Sequence, residues 1–214
     1  DGIQPILPDI VGSQIDAVFS DIAPTVVKLG MLFSSEIIHV VANRLEHYKP
    51  AYIIADPVMI STSGSKLLSD DAIEAMEKRI IPLATILTPN RMEAEHLSGI
   101  RIGNYVDICQ AASRISEFGC KYVLMKGGHF DSLQMTDYLF DNDKLVHQFP
   151  APAIATNNLH GTGCTLSSAI AANLALGHSV VDSVALAKDF VQKAIVAGKD
   201  ISIWKGHGPL NHLF

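Results

Sequence analysis

The sequence alternates between two hydrophobic periods, and this alternation limits the fold more than any other feature. Apolar residues recur at helical spacing in 10–19, and a β-branched run follows at 25–29. The same change of period recurs along the chain. The predicted strands are 25–29, 52–55, 85–87 and 122–125, and the predicted helices are 10–19, 34–47, 69–80, 91–98, 105–118, 163–176 and 180–197. Strands that alternate with helices predict a mostly parallel sheet with helices on both faces, because parallel strands require crossover connections.

One segment departs from this alternation. Residues 136–140 and 145–149 are strand-like, and the polar sequence Asp-Asn-Asp at 141–143 between them is typical of a tight turn. This pattern predicts a hairpin that adds antiparallel strands at one edge of the sheet. The 214 residues contain no repeat or linker, and 48% of them are apolar. We therefore expect one α/β domain with a sizeable core.

Charge and composition exclude several functions. The net charge is −6 and the basic residues are scattered, so the chain has no electrostatic footprint for nucleic acid. No apolar run approaches the roughly 20 residues that span a bilayer, and the N-terminus does not resemble a signal peptide. We expect a soluble, cytoplasmic protein with no membrane partner. Cys109, Cys120 and Cys164 lack the paired spacing of a zinc or redox site and are expected to be reduced thiols.

Ligands of a parallel sheet bind beyond the carboxyl ends of its strands, so the segments that follow the predicted strands are candidate sites. The richest of them is His-Gly-Thr-Gly-Cys-Thr-Leu-Ser at 160–167, which runs directly into a predicted helix. Its small residues allow backbone N–H groups to converge at the positive end of the helix dipole, as in an anion site that suits a phosphoryl group. The alternative is a tight loop whose glycines serve backbone geometry alone.

Charged residues and a thiol accompany this loop. Cys164 lies in the first turn of the helix, where the thiolate is favoured, so it is a candidate base or nucleophile; the alternative is a small apolar packing residue. Asp56 and Glu93 are candidate Mg²⁺ ligands, and Lys126 is a candidate phosphate contact. The alternative for Asp56 is a turn residue, the alternative for Glu93 is a partner of the helix dipole, and the alternative for Lys126 is a solvated lysine. All four are predicted at one edge of the sheet, which favours the functional interpretation.

Four motifs resemble, in order and spacing, those of the hydroxymethylpyrimidine/phosphomethylpyrimidine kinases. They are Asp-Pro-Val-Met at 56–59, Leu-Thr-Pro-Asn with Glu-Ala at 87–94, Val-Leu-Met-Lys-Gly-Gly-His at 123–129 and His-Gly-Thr-Gly-Cys-Thr at 160–165. The resemblance covers nearly the whole chain. It implies a ribokinase-like three-layer α/β/α fold, a small-molecule substrate and a homodimer. It also implies phosphorylation of hydroxymethylpyrimidine and of its monophosphate in thiamin biosynthesis, with ATP and Mg²⁺.

The resemblance also implies roles for individual residues. Cys164 matches the catalytic thiol of the family, and Asp56 lies close to the transferred group as a second candidate base and metal ligand. Asn90 and Glu93 match a pair that orders magnesium and phosphates. The remaining matches bind the nucleotide (Lys126, Gly161, Thr162, Gly163 and Lys188) or contact the pyrimidine ring (Met31, Val58 and Met59).

One part of the family pattern has no counterpart here. Typical members begin with a strand and a glycine-rich segment, followed by a strand–helix–strand stretch that supplies polar contacts to the pyrimidine, and this sequence starts after all of it. The expected consequences are an incomplete substrate pocket and an uncovered sheet edge. A pyridoxal kinase of the same subgroup and a truncated, non-catalytic nucleotide-binding protein therefore remain alternatives. A cysteine hydrolase is a third, although no histidine is fixed as its base.

Overall fold

A six-stranded sheet forms the centre of the protein. The computed structural model describes residues 4–59, 67–131, 134–203 and 205–214, with the backbone alone at 128–131. The strands lie in the order β1 to β6, with β1 to β4 parallel and β4 to β6 antiparallel. Their bounds are β1 Val26–Leu29, β2 Tyr52–Ala55, β3 Ile86–Leu87, β4 Tyr122–Asp131, β5 Gln134–Asp141 and β6 Lys144–Pro152. The predicted parallel sheet with an antiparallel hairpin at one edge is confirmed.

Seven α-helices flank this sheet in the described part of the chain. They are α1 Pro8–Asp21, α2 Ser35–Tyr48, α3 Asp70–Ala75, α4 Arg91–Ser98, α5 Tyr105–Ser116, α6 Thr162–Ala175 and α7 Val180–Gly198. Buried residues of α2 to α5 join one hydrophobic cluster, and those of α6 and α7 join another. None of these helices is long and apolar enough to cross a membrane.

The alternation of side chains along the strands separates the two clusters. In β2, Ile53 packs into the cluster of α2 to α5, whereas Ile54 packs into the cluster of α6 and α7. Val123 and Leu124 of β4 divide in the same way. Successive residues of a strand face opposite sides of the sheet, so a continuously apolar strand buries both of its faces. The result is the predicted three-layer α/β/α arrangement.

Local capping explains where several helices begin. The Ser34 side chain accepts a hydrogen bond from the backbone N–H of Ile37 at the start of α2. Asn90 and Asn104 precede α4 and α5, and each forms a capping box. The asparagine side chain accepts from the backbone N–H three positions later, and the carboxylate of that later residue accepts from the backbone N–H of the asparagine. Ser69 precedes α3, but its side chain does not cap the helix.

Several boundaries differ from the sequence predictions, most of them by one to three residues. The helix predicted at 69–80 ends at residue 75 and continues as a π-helical turn, Met76–Ile80. The helix predicted at 105–118 ends two residues early. Helix α7, predicted at 180–197, includes Gly198 as its last residue, where a Cβ would stand 2.9 Å from the backbone nitrogen of Asn211. The segment 126–129, predicted as a loop, lies within β4, because the strand continues as the partner of β5.

Candidate active site

Three charged or glycine-rich segments meet at the carboxyl ends of the parallel strands. Asp56 follows β2, Lys126 extends from β4, and Gly163 lies in the first turn of α6. The Nζ atom of Lys126 donates to Oδ1 of Asp56 at 2.8 Å. A Cβ added to Gly163 would lie 3.2 Å from Nζ of Lys126 and 3.8 Å from Oδ2 of Asp56. The structure thus brings three predicted site residues into one cluster, and the backbone of α6 approaches the ion pair closely.

The Asp56 carboxylate is buried and held by several donors. Its residue is 3% exposed. Besides Lys126, the Thr88 hydroxyl donates to Oδ1 at 3.1 Å, and the Ser167 hydroxyl lies 3.4 Å from Oδ2. Because both oxygens already face donors, Asp56 is better placed to hold Lys126 than to accept a proton from a substrate. Thr88 and Ser167 lie inside two of the quoted motifs but were not singled out, because a hydroxyl in a motif does not indicate which distant carboxylate it contacts.

Glu93 combines a structural role with unusual electrostatics. Its Oε2 accepts from the backbone N–H of Asn90 at 2.8 Å, and the Asn90 side chain accepts from the N–H of Glu93 at 3.0 Å. Burial raises the pKa of Glu93 to about 7, and the negative charge of Asp56 adds to this effect. Lys126 and backbone N–H groups, including that of Met59, oppose it. Glu93 therefore takes part in capping the start of α4, and burial favours the neutral form of its carboxyl group.

The start of α6 has no side-chain cap, whereas the start of α4 has a capping box. Gly161 precedes the helix with φ of 89° and no side chain caps it, so backbone donors of the first turn are not used by a capping group. Cys164 is exposed in this turn. The alternative of a small apolar packing residue is wrong for Cys164, because the residue is exposed. Thr162 donates through its hydroxyl to the carbonyl of Leu159 at 2.5 Å, which tightens the turn before the helix.

The loop before α6 is anchored to the C-terminal part of the chain. The N–H of His160 donates to the carbonyl of Gly208 at 3.1 Å. The buried Asn158 amide donates to the carbonyls of Gly198 and Ile201 at 2.7 and 2.8 Å. These bonds fix the loop against the end of α7. Asn158 gave no signal in the sequence, because its partners are backbone atoms about 40 residues away.

Lys188 does not stand open beside the loop but forms a buried ion pair. Its Nζ donates to Oδ2 of Asp137 at 2.5 Å and to the carbonyl of Met135 at 3.3 Å. Asp137 in turn accepts from the backbone N–H of Gly127 at 2.7 Å. Lys188 is therefore linked to the residue that follows Lys126. The sequence analysis missed Asp137, which sits within an apparently ordinary strand.

The three predicted pyrimidine neighbours have different surroundings. Met31 is 38% exposed, and Val58 is partly buried. Met59 is fully buried in the cluster of α2 to α5. The prediction that Met59 contacts a ligand is therefore not supported, since its side chain is used entirely by the core.

The carboxylates form a pair and not a larger metal cluster. Within the described residues, no group of three or more His, Cys, Asp and Glu side chains is arranged to hold a metal ion. Asp56 and Glu93 are close enough for the charge of one to raise the pKa of the other. Mg²⁺ is commonly held by one or two carboxylates together with water and substrate phosphates. The donor set fits that mode of binding.

Comparison with known proteins agrees with this geometry. The family model described as phosphomethylpyrimidine kinase matches residues 1–211. The hydroxymethylpyrimidine/phosphomethylpyrimidine kinase of Rhizobium meliloti is 41% identical over 98% of this chain and 79% of its own length. The thiamine biosynthesis bifunctional protein ThiED of Geobacter sulfurreducens is 42% identical, and the chain spans only 43% of its length.

Solved structures show the same relationship. A crystal structure of phosphomethylpyrimidine kinase from Clostridium difficile matches with a TM-score of 0.79 and 41% identity, over 91% of this chain and 79% of that one. Pyridoxal kinase from Staphylococcus aureus, in complex with AMP-PCP and pyridoxal, matches with a TM-score of 0.87 and 32% identity, over 99% and 75%. The chain has the ribokinase-like fold of these kinases and belongs to the phosphomethylpyrimidine kinase family.

Proposed function

We propose that this chain transfers a phosphoryl group from ATP to hydroxymethylpyrimidine and to its monophosphate. The observation that carries the proposal is the close approach of the Lys126–Asp56 pair to Gly163 at the uncapped start of α6, where an added Cβ would lie 3.2 Å from Nζ of Lys126. Phosphoryl transfer depends on positioning and on neutralisation of phosphate charge more than on covalent protein chemistry. A cation and helix N–H groups at one point provide both.

Each residue then has a defined task. The backbone N–H groups in the segment Gly161 to Cys164, with Thr162 and Gly163 between them, bind the moving phosphoryl group. Lys126 neutralises its charge, and Asp56 keeps Lys126 in place. The exposed Cys164 acts as a thiolate, which accepts the proton of the substrate hydroxyl and becomes a neutral thiol; the enclosed carboxylate of Asp56 is poorly placed for this role. Met31 and Val58 offer apolar surface to the pyrimidine ring.

The nucleotide and its metal use the remaining residues. We place the ATP phosphates beside Lys126 and the nucleotide on the side of Lys188. Asp56 and Glu93, with Asn90, would hold Mg²⁺ chiefly through water. The metal supplies positive charge to the phosphates when it is bound. Burial raises the pKa of Glu93, and a bound cation would act in the opposite direction by favouring the ionised carboxylate.

The proposal includes a cytoplasmic homodimer, which the family resemblance supports. In the described sheet β1 has a neighbour on one side only, so this edge has unpaired backbone groups. Sedimentation equilibrium tests the homodimer, which requires twice the mass of one chain. Cell fractionation tests the location.

The function is tested by direct product analysis. The chain is incubated with MgATP and, separately, hydroxymethylpyrimidine, its monophosphate and pyridoxal, and products are identified by mass spectrometry. Phosphorylated pyrimidines, with a steep loss in Cys164→Ala, are the expected result. Product from pyridoxal alone would assign the chain to the alternative activity, which has less support because the S. aureus pyridoxal kinase is 32% identical and the C. difficile phosphomethylpyrimidine kinase is 41% identical. ATP binding without any product would indicate a non-catalytic nucleotide-binding protein.

A further inference from the structure

The strand that carries Lys126 contains a bulge directly at this residue. Met125 pairs with Tyr138, and the next registered pair is Gly128 with Thr136. Two residues of β4, Lys126 and Gly127, therefore oppose the single residue Asp137 of β5. Gly127 has φ of 67°, a left-handed conformation that favours glycine. Bulges bend a strand and redirect side chains, and they are common beside active sites.

Asp137 accepts a hydrogen bond from a backbone N–H of β4 that has no regular partner in the ladder between β4 and β5. A bulge leaves its extra residue without a regular partner, and here the N–H of Gly127 donates to Oδ1 of Asp137 at 2.7 Å. Asp137 lies two residues from Leu139, so both face the layer of α6 and α7. Lys126 lies two residues from Leu124 and faces the same layer. The Asp137 carboxylate thus binds the backbone next to Lys126. It lies on the same face of the sheet as the contact between Lys126 and Asp56.

A carboxylate at this position requires a compensating charge. Asp137 is 4% exposed, and an unpaired buried carboxylate is strongly unfavourable. Lys188 of α7 supplies the cation, and its side chain is itself largely buried. The second bond of Lys188, to the carbonyl of Met135, ties the same ammonium group to the backbone of β5. The pair therefore connects α7 through Asp137 to the bulge.

We propose that Asp137 is a positioning residue that fixes the bulge and so directs Lys126 toward Asp56 and Gly163. Lys188 holds the Asp137 carboxylate in place through their ion pair. The catalytic consequence rests on the proposed kinase function, whereas the structural one does not. Without the acceptor, the N–H of Gly127 loses its partner, and the backbone beside Lys126 is free to change register. A misplacement of about 1 Å in a group that contacts a reacting phosphate can lower the rate by about 10²-fold.

The structural part is tested by amide hydrogen exchange of Gly127, followed by NMR in the ¹⁵N-labelled full chain. Asp137→Ala should raise the exchange rate of this amide at least about 10-fold relative to amides elsewhere in β4. Asp137→Asn should change it less, because the amide oxygen can still accept the bond. Asp189→Ala is the matched control, since Asp189 is adjacent to Lys188 in sequence but exposed on α7 in a surface pair with Lys193. Unchanged exchange in Asp137→Ala would overturn the proposal.

The catalytic part is tested by a double-mutant cycle with Lys126. Asp137→Ala should lower kcat about 10- to 100-fold, and it should have little further effect once Lys126 is replaced by methionine. A kcat of the double variant that is lowered by the product of the two single-variant factors would show that Asp137 does not act through Lys126. Should Asp137→Ala not fold, the cycle is run with Asp137→Ala/Lys188→Met, which removes both charges together. A wild-type chain that phosphorylates neither pyrimidine would overturn the proposed function, while the exchange of Gly127 would still decide the role of Asp137.

Discussion

Lys126 donates from Nζ to Oδ1 of Asp56 at 2.8 Å, and this bond joins two residues that are 70 positions apart in the sequence. The side chains of Lys126 and Asp56 are 14% and 3% exposed, so the pair is shielded from solvent. It holds the long β4 strand against the turn after β2, at the edge of the sheet where α6 begins. The cation is therefore positioned before any phosphate arrives.

Replacement of Lys126 should affect activity and stability together. Lys126→Met should lower kcat by about 10²- to 10³-fold, because a charge that stabilises the transition state is lost. It should also lower the free energy of unfolding by about 3 kcal/mol, since Asp56 is left as an uncompensated buried charge. Steady-state kinetics and urea unfolding measure the two effects.

Two further variants separate these effects. Asp56→Asn/Lys126→Met should recover part of the lost stability, because no buried charge remains unpaired, but none of the activity. Lys193→Met, which removes a cation exposed on α7, should change the free energy of unfolding by less than about 0.5 kcal/mol. Wild-type kcat in Lys126→Met would contradict the proposed role of Lys126.

A methyl group at position 163 should disturb the site without unfolding the chain. In Gly163→Ala the new Cβ would lie 3.2 Å from the Lys126 ammonium, which must move to accommodate it. We expect kcat to fall by about 10-fold or more while the midpoint of thermal unfolding changes little. Gly206→Ala is the matched control, because a Cβ there meets no atom within 4 Å. Equal kcat in the two variants would show that the close approach is unimportant.

The ionisation of Glu93 should make stability depend on pH. Its pKa is about 7 in the folded protein and 4.5 is its ordinary value, so between these pH values the folded chain binds the proton more tightly. Stability from this group is therefore full below pH 4.5 and is lost as the pH rises toward 7, by roughly 3 kcal/mol in total. Glu93→Gln cannot ionise and should lack this loss. Urea unfolding at pH 5 and pH 8 measures the difference.

Comparison with an exposed carboxylate isolates the effect of burial. Glu117→Gln removes a surface partner of Arg114 and should keep the pH dependence of the wild type. Glu93→Gln should also lose catalytic activity, even at pH values at which it is more stable than the wild type, because a neutral amide cannot help to hold Mg²⁺. Parallel stability curves for wild type and Glu93→Gln would contradict the elevated pKa.

The three cysteines should react in a fixed order with a thiol reagent. Cys164 is exposed, Cys109 is partly buried, and Cys120 is buried with a pKa raised by burial to about 11. Ellman's reagent should modify Cys164 first, Cys109 more slowly and Cys120 only after unfolding. Nucleotide should slow the first phase if the phosphates bind at the start of α6. The fast phase should be absent in Cys164→Ala; its persistence would assign it to another thiol.

Much of the architecture could be read from local patterns. Strand β2 and helix α4 have the predicted bounds, since an apolar strand and a capped helix depend on neighbours within a few residues. The loop predicted at 126–129 is instead part of β4, because pairing with β5 extends the strand beyond the residues that look strand-like. The π-helical turn after α3 was likewise not predicted, since no local residue marks it.

The sequence by itself determined the layer architecture, the glycine-rich start of α6, and the identities of Asp56, Glu93, Lys126 and Cys164 as candidates, because hydrophobic period, capping and motif spacing are local properties. Only the tertiary structure decided what each candidate does. It enclosed Asp56 among donors, buried Met59 in the core, and paired Lys188 with Asp137, a residue that the sequence did not single out. Burial and long-range pairing arise when distant segments pack together, and their energies depend on the neighbours that packing supplies.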